Sequence, residues 1–174
     1  MPNQSFRTDD CVDEVIEKYA DLVYRLAFSR VKNKNDADDI FQEVFLRYIK
    51  QDREFETEEH RRAWLIRVTI NCSNSFFSSA WTQKVIPITE TELPPFETPE
   101  ELGLHELLMQ LPVKYRTVLH LFYYEDLPIN EISRILKRKP ATVKTQLARA
   151  RQLLKEKLKG GLYEKIPCPD EIDE

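Results

Sequence analysis

The sequence predicts an all-α protein: two small helical domains joined by a flexible linker, the C-terminal one containing a helix-turn-helix. Three observations carry this. Apolar residues recur at steps of three and four through most of the chain. Glycine is scarce, at 3 of 174 residues, and β-branched runs are short, which argues against sheets. One stretch, "VIPITETELPPFETPEE", has four prolines and no helical period, and it separates two periodic blocks. The expected organisation is a first domain over 1–84, a linker over 85–99, a second domain over 100–160 and an acidic tail over 161–174.

The first block opens with "CVDEVIEKYADLVYRLAFSRVK". Val12, Val15, Ile16, Tyr19, Leu22, Val23, Leu26 and Ala27 share one face, as in an amphipathic helix. "NKND" breaks it, and Asn35 or Asp36 is placed to cap the next helix, "DADDIFQEVFLRYIKQ". There Ile40, Phe41, Val44, Phe45 and Tyr48 form the apolar stripe, while Asp38, Asp39, Gln42 and Glu43 point elsewhere. A polar run, "DREFETEEH", leads into "RRAWLIRVTINCSNSFFSSAW", with Trp64, Leu65, Val68, Ile70 or Asn71, and Cys72 at helical spacing. Trp64 reads as core, because a large ring on the apolar side of a helix normally buries. After the prolines, four helices are expected at roughly 100–110, 112–124, 128–136 and 140–158, with Gly160-Gly161 as the stop. The tail "LYEKIPCPDEIDE" reads as disordered or loosely docked.

Composition excludes several classes of function. A 41 % hydrophobic and 32 % charged chain suits a packed core with a soluble surface. No apolar stretch approaches a bilayer-spanning length, and "MPNQSFRTDDC" lacks the pattern of a secretory signal. Cys11, Cys72 and Cys168 form no CxxC pair and have no neighbouring histidines, so no metal site or disulfide framework is expected, and the setting is a reducing cytosol. His60, His105 and His120 have no nucleophile, ligand spacing or glycine-rich loop around them, so an enzyme and a bound cofactor are not expected.

Charge is distributed unevenly under a net −4. Residues 85–111 carry six glutamates and no basic residue, whereas residues 112–160 carry 12 basic residues and four acidic ones. A basic module between acidic segments attracts a polyanion. Within it, "INEISRIL" puts Ile129, Ile132, Ile135 and Leu136 on one face. "KRK" makes a short turn, and Pro140 suits the first turn of the next helix. Val143, Leu147, Ala150 and Leu154 then face inward, leaving Thr142, Lys144, Thr145, Gln146, Arg149 and Arg151 outward. Those residue types reach phosphates and base edges from a helix in the major groove.

Two pairs of motifs resemble one family. "LPVKYRTVLHLFYYEDLPINEIS" and "ATVKTQLARARQLLKEKL" are similar to the −35-binding domain of bacterial RNA polymerase sigma factors, the extracytoplasmic-function (ECF) branch. "DADDIFQEVFLRYIK" and "RRAWLIRVTINCSN" resemble the helices of that family's first conserved domain. The resemblance implies a subunit without an active site, which binds core RNA polymerase, recognises promoter DNA at the −10 and −35 elements and helps open it. It implies polymerase contacts at Asp38, Asp39, Gln42, Glu43 and Phe45. It implies a flipped −10 base held near Phe55, Val68 and Asn71, with Arg61, Arg62 and Arg67 on the strand's phosphates. Many members also have an anti-sigma partner. The chain departs from the family in the glutamates of "EFETEEH", in Lys137-Arg138 standing where the family usually has a glycine, and in Ala141 replacing another. A free-standing helix-turn-helix regulator is the alternative, though no heptad seam or effector pocket is visible.

Overall fold

A computed structural model describes residues 9–52, 54–83 and 99–159. Among the described residues seven α-helices follow in order: α1 (Asp9–Val31), α2 (Lys34–Lys50), α3 (Glu58–Gln83), α4 (Pro99–Met109), α5 (Val113–Leu119), α6 (Ile129–Leu136) and α7 (Pro140–Lys159). A π-helical turn at His120–Tyr124 extends α5. No strand forms among the described residues, and the all-α prediction holds. Most of the expected linker, Gly160-Gly161 and the acidic tail lie outside the described residues.

Helices α1, α2 and α3 pack as a bundle around Val15, Tyr19, Val23, Ala27, Ile40, Val44, Leu65 and Cys72. These are the stripes that the three-and-four spacing marks. One boundary differs from expectation: Asn33, rather than Asn35 or Asp36, caps α2, its side chain accepting from the Asp36 amide at 3.2 Å. The reason lies one residue upstream. Lys32 turns back with φ 60°, which leaves Asn33 extended (φ −137°, ψ 132°), the geometry a capping side chain requires. Helix α3 starts earlier than the sequence suggested, because the Thr57 hydroxyl accepts from the His60 amide and two glutamates occupy the first turn. It also runs through a serine-rich stretch. Ser73, Ser75 and Ser78 return their hydroxyls to carbonyls one turn back and leave the helical ladder intact.

The C-terminal helices surround Leu111, Val118, Leu121, Ile132, Val143, Leu147 and Ala150, with α5 and α6 both against α7. The two halves are not separate bodies. Leu26 of α1 and Ile66 and Ile70 of α3 belong to the same apolar cluster as the C-terminal core. Beside it lies Arg116 of α5, only 4 % exposed. Its guanidinium donates to the carbonyls of Ser29, Arg30 (3.0 Å), Leu111 (2.6 Å) and Met109 (3.3 Å). Arg30 of α1, equally buried, donates to Thr117 Oγ1 (2.6 Å) and Asn74 Oδ1 (2.7 Å). Both guanidinium pKa values are pulled down to about 10, by burial at Arg116 and by burial together with the nearby charges of Arg116 and Arg138 at Arg30. Both stay charged at neutral pH.

His105 of α4 stacks on Phe28 of α1, ring centroids 5.9 Å apart. Burial, with Arg116 and His120 adding to it, lowers its pKa to about 4. Two predictions follow from this junction. Replacing Arg116 by alanine strands four carbonyls and costs about 3–5 kcal/mol in urea denaturation. His105 has a folded pKa below its unfolded one, so its stabilising contribution is complete above pH ~6.5 and falls as pH drops towards 4. Proton NMR of the His105 ring reads this directly, and a titration near 6.5 contradicts it.

Candidate nucleic-acid interface

The helix-turn-helix forms from α6 and α7. Helix α6 ends at Lys137 in the left-handed region (φ 53°, ψ 46°), where the sequence has a lysine for the family's glycine. The Arg138 amide then donates to the Ser133 carbonyl at 3.0 Å, and the Ser133 hydroxyl donates to the Arg138 carbonyl. The turn is therefore held from both ends before Pro140 starts α7. Val143, Leu147 and Ala150 bury, and Thr142, Lys144, Thr145 and Arg149 are exposed, as their spacing predicts. Gln146 is half-buried and accepts from Arg138 Nη1 at 2.8 Å. Thr142, Thr145, Gln146 and Arg149 line an open groove of about 340 Å³ with Lys114 and Tyr115. The Arg149 guanidinium beside the Tyr115 hydroxyl holds that phenol below its ordinary pKa. Arg151 points away from this groove. Its Nε donates to Tyr123 Oη at 2.8 Å, and its guanidinium covers Phe122 and Tyr123.

The second set of residues lies on α3 and the loop before it. Phe55 stacks parallel to Tyr48 (centroids 6.1 Å) and edge-on to Trp64 (5.7 Å), with Arg61 over its face. Asn71 is exposed on the same helix, whereas Val68 is buried in the bundle and Arg67 is half-buried. The glutamates of the loop divide by role. Glu58 accepts from Lys18 (2.9 Å), Tyr19 (2.7 Å) and Arg61, so it braces α3 against α1 and its carboxyl is held below the ordinary range. Glu54 and Glu56 are solvent-exposed.

Arg62 is already engaged. Its Nη2 donates to Glu125 Oε2 at 2.9 Å and to the Glu125 carbonyl, which closes a clasp between α3 and the end of the π-helical turn. Burial raises the Glu125 carboxyl, but His120 and Arg62 outweigh it and leave its pKa depressed.

A third face lies on α2. Asp39, Gln42 and Glu43 are exposed, and Glu43 pairs with Arg47 at 2.7 Å. Asp38 and Gln42 border a groove of about 390 Å³ between α1 and α2, together with Asp21, Tyr24 and Phe41. Phe45 does not reach this face. It is 4 % exposed, packed on Phe41 with centroids 4.8 Å apart, because its position falls on the stripe of Ile40, Phe41 and Val44. Leu46 and Ile49, which the sequence reading did not single out, are exposed instead, at 47 % and 49 %. Their signal was available: they follow Asp39 and Gln42 at helical spacing, out of phase with the core stripe.

Comparison with known proteins fits this layout. The Sigma-70 region 2 family model matches residues 15–82, spanning α1 to α3, and the Sigma-70, region 4 model matches residues 101–154, spanning α4 to α7. RNA polymerase sigma factor SigV of Bacillus subtilis is 33 % identical over 141 residues, covering 78 % of this chain and 83 % of the relative. The chain belongs to the sigma-70 family of RNA polymerase sigma factors, in its ECF branch. As such a factor it directs promoter-specific transcription initiation, in a family of initiation factors without enzymatic activity. ECF sigma factor SigW of Bacillus subtilis is 26 % identical, covering 86 % of this chain and 90 % of the relative. Among solved structures, the sigma factor RpoE in complex with the anti-sigma factor NepR from Bartonella quintana has a TM-score of 0.70 at 20 % identity, covering 87 % of this chain and 98 % of that one. CnrH in complex with the cytosolic domain of CnrY has a TM-score of 0.63 at 19 % identity, covering 90 % and 92 %.

The difference between Phe45 and its neighbour is measurable. Phe45→Ala is expected to cost about 3–5 kcal/mol of stability and Leu46→Ala less than ~0.5. Equal costs in chemical denaturation contradict the assignment of one to the core and the other to the surface.

Proposed function

We propose that this sigma factor divides its work among the three faces described above. Helix α7 reads the −35 duplex through Thr142, Thr145, Gln146 and Arg149 in its groove and through Lys144 outside it. The aromatic cluster at Phe55, with Asn71, receives an unstacked −10 base, while Arg61, Arg62 and Arg67 hold the strand. The acidic and apolar face of α2 docks on core RNA polymerase through Asp38, Asp39, Gln42, Glu43, Leu46 and Ile49. Phe45 and Val68 support these faces from within the bundle. The observation that carries the reading is the helix-turn-helix groove, whose lining is almost entirely hydrogen-bonding and basic.

Simultaneous reading requires the chain to open. Elements about 25 base pairs apart lie roughly 85 Å apart along B-DNA. A compact chain of this length has a radius of gyration of about 16 Å, so the closed body spans at most one element at a time. Residues 84–98 reach roughly 50 Å at full extension, which permits the halves to separate. The Arg62–Glu125 clasp competes with the promoter strand, since one guanidinium cannot serve both. Polymerase docking and the second DNA contact, made intramolecular by the tether, supply the compensating free energy.

Work with polymerase and promoter DNA places the chain in the cytoplasm, and no helix among the described residues is long and apolar enough to cross a membrane. An anti-sigma factor is the further partner expected, as one of the similar structures is a sigma factor in complex with an anti-sigma factor. It would compete with polymerase for the α1–α2 groove and the adjoining Leu46 and Ile49.

Run-off transcription with purified bacterial core polymerase on a promoter library tests the reading. Discrete starts are expected only when this chain is added. Lys144→Ala should weaken all −35-dependent promoters, and Asn71→Ala should lower opening without changing the −35 preference. Glu125→Gln, which loosens the clasp, should raise promoter-duplex binding by the free chain. Identical products with and without the chain overturn the proposal.

A further inference from the structure

The turn of the helix-turn-helix contains a contact that a simple basic patch does not need. Arg138 Nη1 donates to Gln146 Oε1 at 2.8 Å, from the turn to the second exposed turn of α7. An arginine only donates, so the amide oxygen of Gln146 is the atom that faces it. The backbone behind Arg138 is fixed at both its amide and its carbonyl by Ser133, which is itself buried. The guanidinium is therefore placed before any DNA arrives, and little side-chain freedom remains to be lost on binding.

This orientation has a consequence for base reading. Glutamine recognises adenine with its oxygen and nitrogen together, accepting from N6 and donating to N7. With Oε1 occupied by Arg138, Gln146 turns its amide NH₂ towards the groove. The remaining N–H groups of Arg138 stand beside it, so donors predominate in the pair, with one lone pair of Oε1 already used. Guanine offers two major-groove acceptors, O6 and N7, and matches such a pair, whereas adenine places a donor opposite one of them.

We infer that Arg138 is a positioning residue for promoter selection: it holds Gln146 as a hydrogen-bond donor and sets a guanine preference at one −35 base pair. The inference rests on the reading of α7 as the recognition helix. Neither Arg138 nor its turn was singled out from the sequence as a contact, since the residue precedes the exposed face of α7.

The test is run-off transcription with core polymerase and the full chain on templates randomised across the −35 element, with transcripts counted by sequence. The full chain should prefer guanine at one position. Gln146→Ala should abolish the preference there. Arg138→Ala should lower discrimination at that same position by roughly 5- to 150-fold, shifting it towards adenine, with other positions unchanged. Arg138→Lys, which keeps one donor, should retain part of it. Gln146→Glu, an acceptor only, should replace guanine by cytosine and gives an independent reading should Arg138→Ala not fold. A uniform loss across all templates with Arg138→Ala, or an unaltered profile, overturns the inference. A Gln146→Ala profile unchanged at every position overturns instead the recognition-helix reading on which it stands.

Discussion

Two buried guanidinium groups, Arg30 and Arg116, govern how the halves of this chain meet. Among the described residues neither meets a carboxylate; their hydrogen bonds go to neutral oxygens of helix ends and side chains. Moving such charges out of water costs several kcal/mol each, and carbonyl dipoles recover that cost only while the geometry is intact. The apolar cluster of Leu26, Ile66, Ile70, Tyr115 and Val118 supplies the favourable part. A junction assembled from opposing terms of this size depends on its hydrogen-bond geometry as well as on apolar burial. That balance is compatible with the proposed separation of the halves on polymerase and promoter.

The clasp outside the junction follows the same logic. Arg62, about a third exposed at 33 %, meets the buried carboxylate of Glu125, whose side chain is 11 % exposed, at the end of the π-helical turn. In the proposed reading the ion pair occupies a group that would otherwise hold the promoter strand. The π-helical turn brings the Glu125 amide back to the His120 carbonyl, and that places the carboxylate opposite α3. Glu58, by contrast, stays within the first bundle. It braces α3 against α1 and Arg61.

The helices were legible because burial along each is periodic. Val15, Tyr19, Val23 and Ala27, or Val143, Leu147 and Ala150, could be read off as buried stripes before any coordinates. The outward set on α7 was legible for the same reason, Arg151 excepted. Its partner Tyr123 lies 28 residues away, and no local pattern encodes that pairing. Contacts between the halves were illegible for a similar reason, since Arg62 and Glu125 are 63 residues apart. A trace of the junction was present nonetheless: Arg30 falls in phase with Val23, Leu26 and Ala27, so a charge sat on the apolar face of α1. The motif resemblance assigned Phe45 and Val68 to surfaces that helical phase, read strictly, assigns to the core.

The central claim is that the closed chain opens to bridge two promoter elements. Dyes at Ser75→Cys and Asn130→Cys, with native cysteines replaced, report the separation of α3 and α6. In the free chain energy transfer should be efficient, because the two helices touch. In the initiation complex with core polymerase and promoter it should fall to near zero, as the halves move onto sites roughly 85 Å apart. Efficient transfer in a complex that is actively transcribing contradicts the account.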